Sequence, residues 1–209
     1  MWAMQKGIRP MTVPPSAHSL QTIVIDASVA INLNASSVAS QILRAHPGTF
    51  VVTSNVVGEL GKCTRTGRDD RALTAALIAG GDLGHVTLPD GALDRFEVLT
   101  IGDASDTLDD GEAATIAYAA EVCGAALVDE RKARRICTAK FPSVPLLSTV
   151  DLFREEAVAK ALGRAALVDA VDKALRQARM HVARTDREWA LELLGRELAA
   201  AHPTLRRSR

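Results

Sequence analysis

The sequence predicts an α/β fold built on a mostly parallel sheet, and three observations carry that expectation. Short β-branched or apolar runs recur along the chain: "TIVID" (22–26), "TFVVTS" (49–54), "AALVD" (125–129) and "VPLLST" (144–149). Helical patterns lie between them at 28–45, 55–65, 69–80, 110–123 and 131–139. The runs are continuously apolar rather than alternating, as expected of strands covered on both faces by crossover helices. At 47% hydrophobic and 3% aromatic content, the core must be packed by Val, Leu, Ile and Ala.

Taken in order, residues 1–21 read as a loose leader or an over-long start, with Met1, Met4, Met11, Pro10 and the Pro14-Pro15 pair. Residues 22–150 hold the strand and helix alternation. Within them "HVTLP" (85–89) and "FEVLTI" (96–101) each fit either a short strand or part of a connection. Residues 151–209 form a C-terminal helical extension, in which "DLFREEAVAKALG", "RAALVDAVDKALRQARM" and "TDREWALELLGRELAAA" carry apolar residues at three- and four-residue spacing. Thr185 and Glu188 predict a capping box opening the last helix, and "LRRSR" is a basic tail expected to be mobile. The stripes Val168, Val171, Leu175 and Leu191, Leu194, Leu198 cannot all face water without exposing a large patch. The extension is therefore expected to pack on the domain and supply much of an oligomer or partner surface.

Bulk properties narrow the function. Lys+Arg and Asp+Glu both number 25, so no overall charge pulls the chain toward nucleic acid, although local patches can. Cys63, Cys123 and Cys137 are odd in number and form no CxxC, which argues against a disulfide framework or zinc knuckle and fits a reducing compartment. The five histidines show no ligand spacing. No stretch reaches the ~20 apolar residues of a membrane span. A cytoplasmic protein is the expectation.

Four acids fall near one predicted sheet edge. Asp26 closes the first strand and Asp129 a later one, so both emerge where open parallel sheets bind ligands. Glu59 follows the second strand in "SNVVGEL", and Glu112 opens the helix of "LDDGEAATIAYAAE". Clustered carboxylates repel one another, and hard oxygen ligands suit Mg²⁺ or Mn²⁺. Such an ion polarises phosphoryl oxygens, which points to phosphodiester hydrolysis. Each acid also fits a plainer role. Asp26 suits a helix cap, as Ser28 does; Asp109 and Glu112 form a D-x-x-E capping pattern; Glu59 suits a solvated helix; Asp129 suits the cap of the "ERKARRIC" helix. Only their shared edge sets them apart.

In order, "IVIDASVAINL", "VVTSNVVGEL", "LDDGEAATIAYAAE" and "ALVDERKARR" resemble the acidic signature of PIN-domain nucleases. The closest pattern is a bacterial and archaeal subfamily with a "GEAxAIxxA" helix followed by "DERKxRR". The resemblance covers roughly residues 22–150 and continues more weakly through "LLSTVDLF" and "ARMHVARTDREWALELL". It implies a three-layer α/β/α sandwich and a Mg²⁺ or Mn²⁺ site held by Asp26, Glu112 and Asp129, with Glu59 completing the catalytic acids. It also implies single-strand ribonuclease activity. Many relatives are VapC-like toxins neutralised by a cognate antitoxin, which brings in an antitoxin partner and a homodimer. The fourth motif departs from the pattern: relatives often read T-x-D where this chain reads "VDERK". Asp129 then stands at the threonine position, with Glu130 or Arg131 at the aspartate position, and a second metal is left open. Because Asp129 ends a strand, its loss is expected to harm cleavage more than loss of Glu130.

Substrate phosphates are expected at Arg131, Lys132, Arg134 and Arg135 of "RKARRICTAK", which also fits a solvated helix face. Lys62, Arg65 and Arg68 form a second patch, weakened by Asp69 and Asp70. Aromatic residues for base stacking are scarce, so the backbone would be held by charge. A haloacid-dehalogenase-like phosphatase would read D-x-D, but Ser28 occupies the second position; a nucleotide module would need a glycine-rich turn, which is missing. The main alternative is a PIN-like scaffold that binds RNA or protein without cutting.

Overall fold

The computed structural model describes residues 21–205, so the leader (Gln21 apart) and the last four residues of the basic tail lie outside the described residues. Five parallel strands form one sheet: β1 (Thr22–Ile25), β2 (Thr49–Thr53), β3 (Gly84–Val86), β4 (Ala125–Leu127) and β5 (Leu146–Leu147). Their spatial order is β3-β2-β1-β4-β5. The chain builds outward from β1 to β3, then returns across the sheet to add β4 and β5 on the other side. The reversal falls between β1 and β4, where Ile23, Val24 and Ile25 pair with Ala125, Ala126 and Leu127. A crevice opens at such a switch point because the connecting loops leave it in opposite directions.

Strand alternation divides the core in two. Ile23, Ile25, Phe50, Val52, Ala125 and Leu127 face one layer of helices, whereas Val24, Val51, Ala126 and Val128 face the other. The second face is covered by α5 (Asp90–Thr100), α6 (Asp110–Glu121) and α7 (Arg131–Lys140), through residues such as Leu99, Ile116 and Ile136. The first is covered by α1 (Ala27–Ser36), α2 (Ala39–Ala45) and α3 (Ser54–Glu59). It is also covered by the helices that follow Thr149: α8 (Thr149–Arg154), α9 (Glu156–Lys173) and α10 (Arg187–Ala200). Between β2 and β3 the chain also forms α4 (Asp70–Ala79). This is the three-layer α/β/α sandwich with helices added at its C-terminal end.

Those added helices share the core of the sheet. Phe153, Val158, Val171, Leu175 and Leu194 are buried in the same cluster as Ile23 and Leu33. Much of the apolar striping after Thr149 is thus covered within the chain; of the six stripe residues Leu191 is the exposed one. A kink at Gly163, whose φ of 72° favours glycine, divides α9.

Several boundaries differ from the sequence expectation for local reasons. The helix expected over 28–45 is two helices, broken at Ser37 in the left-handed region. Ser36 Oγ donates to Leu33 O and accepts from Val38 N, so its hydroxyl competes with the helical backbone pattern. The helix expected over 55–65 stops at Glu59, where Arg71 donates to Gly58 O and Leu60 O and satisfies carbonyls the helix leaves open. Only His85 and Val86 of "HVTLP" belong to β3, the rest being connection, and "FEVLTI" lies largely in α5. The expected Thr185–Glu188 capping box is not made. Residues 184–186 form a 3-10 turn, Thr185 Oγ1 donates to Asp186, and α10 begins at Arg187 without a side-chain cap. Among the described residues no helix is long and apolar enough to cross a membrane.

Candidate active site

Asp26 follows β1, and its amide donates to Leu127 O of the neighbouring β4, so it stands at the switch point itself. It also caps α1, its Oδ2 accepting from Ser28 N at 3.1 Å and Ser28 Oγ at 2.6 Å. The cap and the cluster role coincide in one side chain. Asp26 is only 3% exposed, and burial raises its carboxyl pKa; the Ser28 bonds oppose that rise while the charge of Asp109 adds to it.

Glu59 ends α3 and reaches the start of α6, where Gly111 N donates to its Oε1 at 2.6 Å. That approach is open only because residue 111 has no side chain: a Cβ there would land on the Glu59 carboxylate. Desolvation raises the Glu59 pKa, as do the charges of Asp109, Asp26 and Asp110, while the Gly111 bond lowers it.

Glu112 sits in the first turn of α6, its amide bound to Asp109 Oδ1 at 3.0 Å. The D-x-x-E cap therefore forms on the Asp109 side. Glu112 is 9% exposed as a residue, and its carboxyl pKa is pushed up to about 8, chiefly by desolvation and then by Asp109, Asp26 and Glu130, with Lys132 pulling the other way. Asp26, Glu59 and Glu112 thus lie close enough to Asp109 for its charge to raise the proton affinity of all three, and Asp26 adds to the rise at Glu59 and Glu112. Asp109 enters as a charge of this group, although its sequence signal marked only a helix cap.

Asp129 is placed differently. Its Oδ1 accepts from Thr149 N at 2.8 Å; its Oδ2 accepts from Asn32 Nδ2 at 2.8 Å and Thr149 Oγ1 at 2.5 Å. It does not cap α7, whose first turn follows Glu130. Buried and triply bonded, it ties the end of β4 to α1 and to the start of α8. Burial raises its pKa, and the bonds to Thr149 and Asn32 with the charge of Arg134 oppose the rise. Glu130, exposed beside it, is the residue of this pair whose charge acts on Glu112. Asn32 and Thr149 carry no motif of their own, and sequence reasoning missed them.

The basic residues divide in the same way. Arg134 donates through Nη1 to Val128 O and Leu147 O, which bridges the ends of β4 and β5. Arg135 donates to Ser105 O and pairs with Asp106 at 3.6 Å. Arg131 is exposed at the start of α7, and Lys132 lies near Glu112. In the weaker patch, Arg65 binds the carbonyls of Arg176 and Gln177, and Arg68 is paired with Asp70.

A parallel sheet with carboxylates gathered at its switch point belongs to the open α/β proteins whose ligands sit at the strand ends. The chain belongs to the PIN-domain family: a family model described as a PIN domain matches residues 22–196. PIN domains are generally nucleases. The match runs on through the helices after Thr149, in keeping with the shared core. No curated protein and no solved structure matches the chain.

A hard divalent cation fits the donor chemistry of the edge. The converging groups are carboxylates, and Asp109 and Asp26 make Glu59 and Glu112 costlier to ionise. Among the described residues no three His, Cys, Asp or Glu side chains are gathered as an ion-holding group.

Proposed function

We propose that the chain is a divalent-cation-dependent endoribonuclease that hydrolyses phosphodiester bonds of single-stranded RNA. What carries this reading is the convergence of Asp26, Glu59, Asp109 and Glu112 at the switch point, where burial and the charge of Asp109 raise the cost of charge on the other three. Asp26 and Glu112 would hold Mg²⁺ or Mn²⁺, with Asp109 and Glu130 adding negative charge beside them. Asp129, the third ligand expected from the sequence, contributes by positioning β4, α1 and α8 through its three hydrogen bonds. When bound, such an ion would act as a Lewis acid on a phosphoryl oxygen.

The side chains divide the remaining work. Glu59 is anchored through Oε1 on Gly111 N, which leaves Oε2 to accept a proton from the attacking water. Its raised proton affinity suits that task. Arg131 and Lys132 supply phosphate contacts next to the acids. Arg134 and Arg135 set the frame around them through their carbonyl bonds. The test is cleavage of a labelled single-stranded RNA with and without Mg²⁺ or Mn²⁺. Activity that needs the ion and vanishes in Asp26→Asn supports the reading; ion-independent activity refutes it.

The reading extends to a toxin held by a cognate antitoxin and acting as a homodimer. The resemblance of the acidic segments to VapC-like toxins supports the extension, and light scattering with co-purification from the native operon tests it. A second reading, a PIN-like scaffold that binds RNA or protein without cutting, is favoured by one observation: the fourth acid, Asp129, is spent on Thr149 and Asn32. RNA binding without cleavage under any divalent ion would select it.

A further inference from the structure

Most arginines of the described chain are tied to carbonyls or carboxylates, among them Arg44, Arg68, Arg95, Arg134 and Arg154. Arg131, Arg184 and Arg187 are not. Among the described residues their side chains take part in no hydrogen bond or ion pair, and Arg187 Nε is buried with no partner. All three line one open cavity of about 460 Å³, together with His181, Val182 and Ala183. Among the described residues no carboxylate lines it. Asp186, next to Arg187 in sequence, is paired with Arg154 at 3.0 Å.

Three unpaired guanidinium groups brought to one concavity repel each other, and the arrangement makes sense when an anion sits between them. The cavity has a neighbour on the side of the strand ends. A neighbouring pocket is lined by Ser28, Asn32, Asp129, Glu130, Arg179 and His181, so His181 is common to both. Ser28 is the residue bonded to Asp26. The two cavities thus border on His181, one reaching the turn after β1 and Glu130, the other the three arginines. Two of the three, Arg184 and Arg187, come from the segment after Thr149, whose packing against the sheet is what brings them to α7.

We infer that this pocket is a phosphate subsite that seats the backbone of the RNA strand a short distance from the acid cluster. The inference rests on the nuclease reading for the identity of the strand. The arginines contribute sequence-independent affinity and fix the path of the strand across the strand ends. Helices that serve the core on one side thereby serve substrate binding on the other.

Fluorescence anisotropy of a short fluorescein-labelled oligouridylate with the full chain, in EDTA so that no cleavage intervenes, tests the subsite. Replacing Arg131, Arg184 and Arg187 together by glutamine should weaken binding by ~10-fold or more and lower the slope of log K against log salt by about 2, at ~0.7 per lost phosphate contact on a single strand. Arg44→Gln, whose side chain pairs with Asp82 near the opposite edge of the sheet, should bind as the wild type does. Should the triple variant fail to fold, Arg184→Glu must weaken binding on its own, since that side chain is exposed and unpaired. Unchanged affinity and salt slope in the folded variant overturn the proposal, as does a wild type that does not bind the oligonucleotide. Displacement by polyglutamate as effective as by unlabelled RNA overturns it too, assigning the pocket to an acidic protein segment. Binding through the pocket without divalent-dependent cleavage supports the subsite and refutes the nuclease reading. Cleavage by a wild type whose triple variant binds RNA undiminished does the reverse.

Discussion

Replacing Glu112 by glutamine keeps the side chain's shape and removes its charge, and the effect on stability should depend on pH. In the folded chain desolvation and the charges of Asp109, Asp26 and Glu130 push the Glu112 carboxyl from 4.5 up to about 8. In the unfolded chain it ionises near the ordinary value. Between those two values the folded state holds a proton that the unfolded state has released, so stability falls as the pH rises through this window. Below the window both states are protonated and the group costs nothing; above it the full cost is present. At ~1.4 kcal/mol for each pH unit that the window spans, the ceiling is about 5 kcal/mol, and relaxation of the neighbouring acids with solvent screening brings the expected gain for Glu112→Gln to about 2 kcal/mol near pH 8. For a chain of this length that is a rise in Tm of ~4–8 °C, against almost none near pH 4.5. Thermal unfolding followed by circular dichroism in EDTA at the two pH values measures it. Mg²⁺ should then stabilise the wild type more than the variant. Equal changes in Tm at both pH values, or destabilisation at the higher one, would refute the account of a charge strained by its neighbours.

Asp26→Asn should preserve the α1 cap, since asparagine caps as well as aspartate, and reduce divalent-dependent cleavage by at least ~100-fold; a folded variant with near-normal activity ends its assignment as a ligand. Asp129→Ala leaves Thr149 N–H and the Asn32 amide without their acceptor and should cost ~2–4 kcal/mol in urea unfolding. Glu130→Gln should leave stability unchanged and weaken Mg²⁺ binding, and the opposite pattern would exchange the roles of the two residues. Gly111→Ala displaces the Glu59 carboxylate from the α6 amide, and should cut turnover ~10-fold or more with little change in Tm; full activity would show that this anchor is dispensable. A chain ending at Val150 loses Leu152, Phe153, Val158 and Val171 from the core beneath β1 and should not unfold cooperatively, as heteronuclear NMR or calorimetry can establish. A folded fragment with intact Mg²⁺ affinity would mean that these helices are dispensable.

Much of this was legible in the residues themselves. The continuously apolar runs at 22–26, 49–54 and 125–129 dictate buried parallel strands, because only strands covered on both faces lack alternation. Strand ends then dictate the edge on which Asp26 emerges, and the D-x-x-E spacing puts Asp109 and Glu112 at one helix start. These are local rules, and a local reading recovers them. Direction and partnership are not local. Whether Asp129 or Glu130 turns toward Glu112 depends on Thr149 and Asn32, 20 and 97 positions away, which capture one carboxylate and leave the other free. The same holds for the helices after Thr149. Their stripes announce burial but not against what, and only their packing on the face of Ile23 and Ile25 makes them core and carries Arg184 and Arg187 to Arg131. Sequence determines which side chains must be buried or charged; the tertiary fold decides which charges meet, because side chains distant in sequence are set at hydrogen-bonding distance by packing rather than by spacing along the chain.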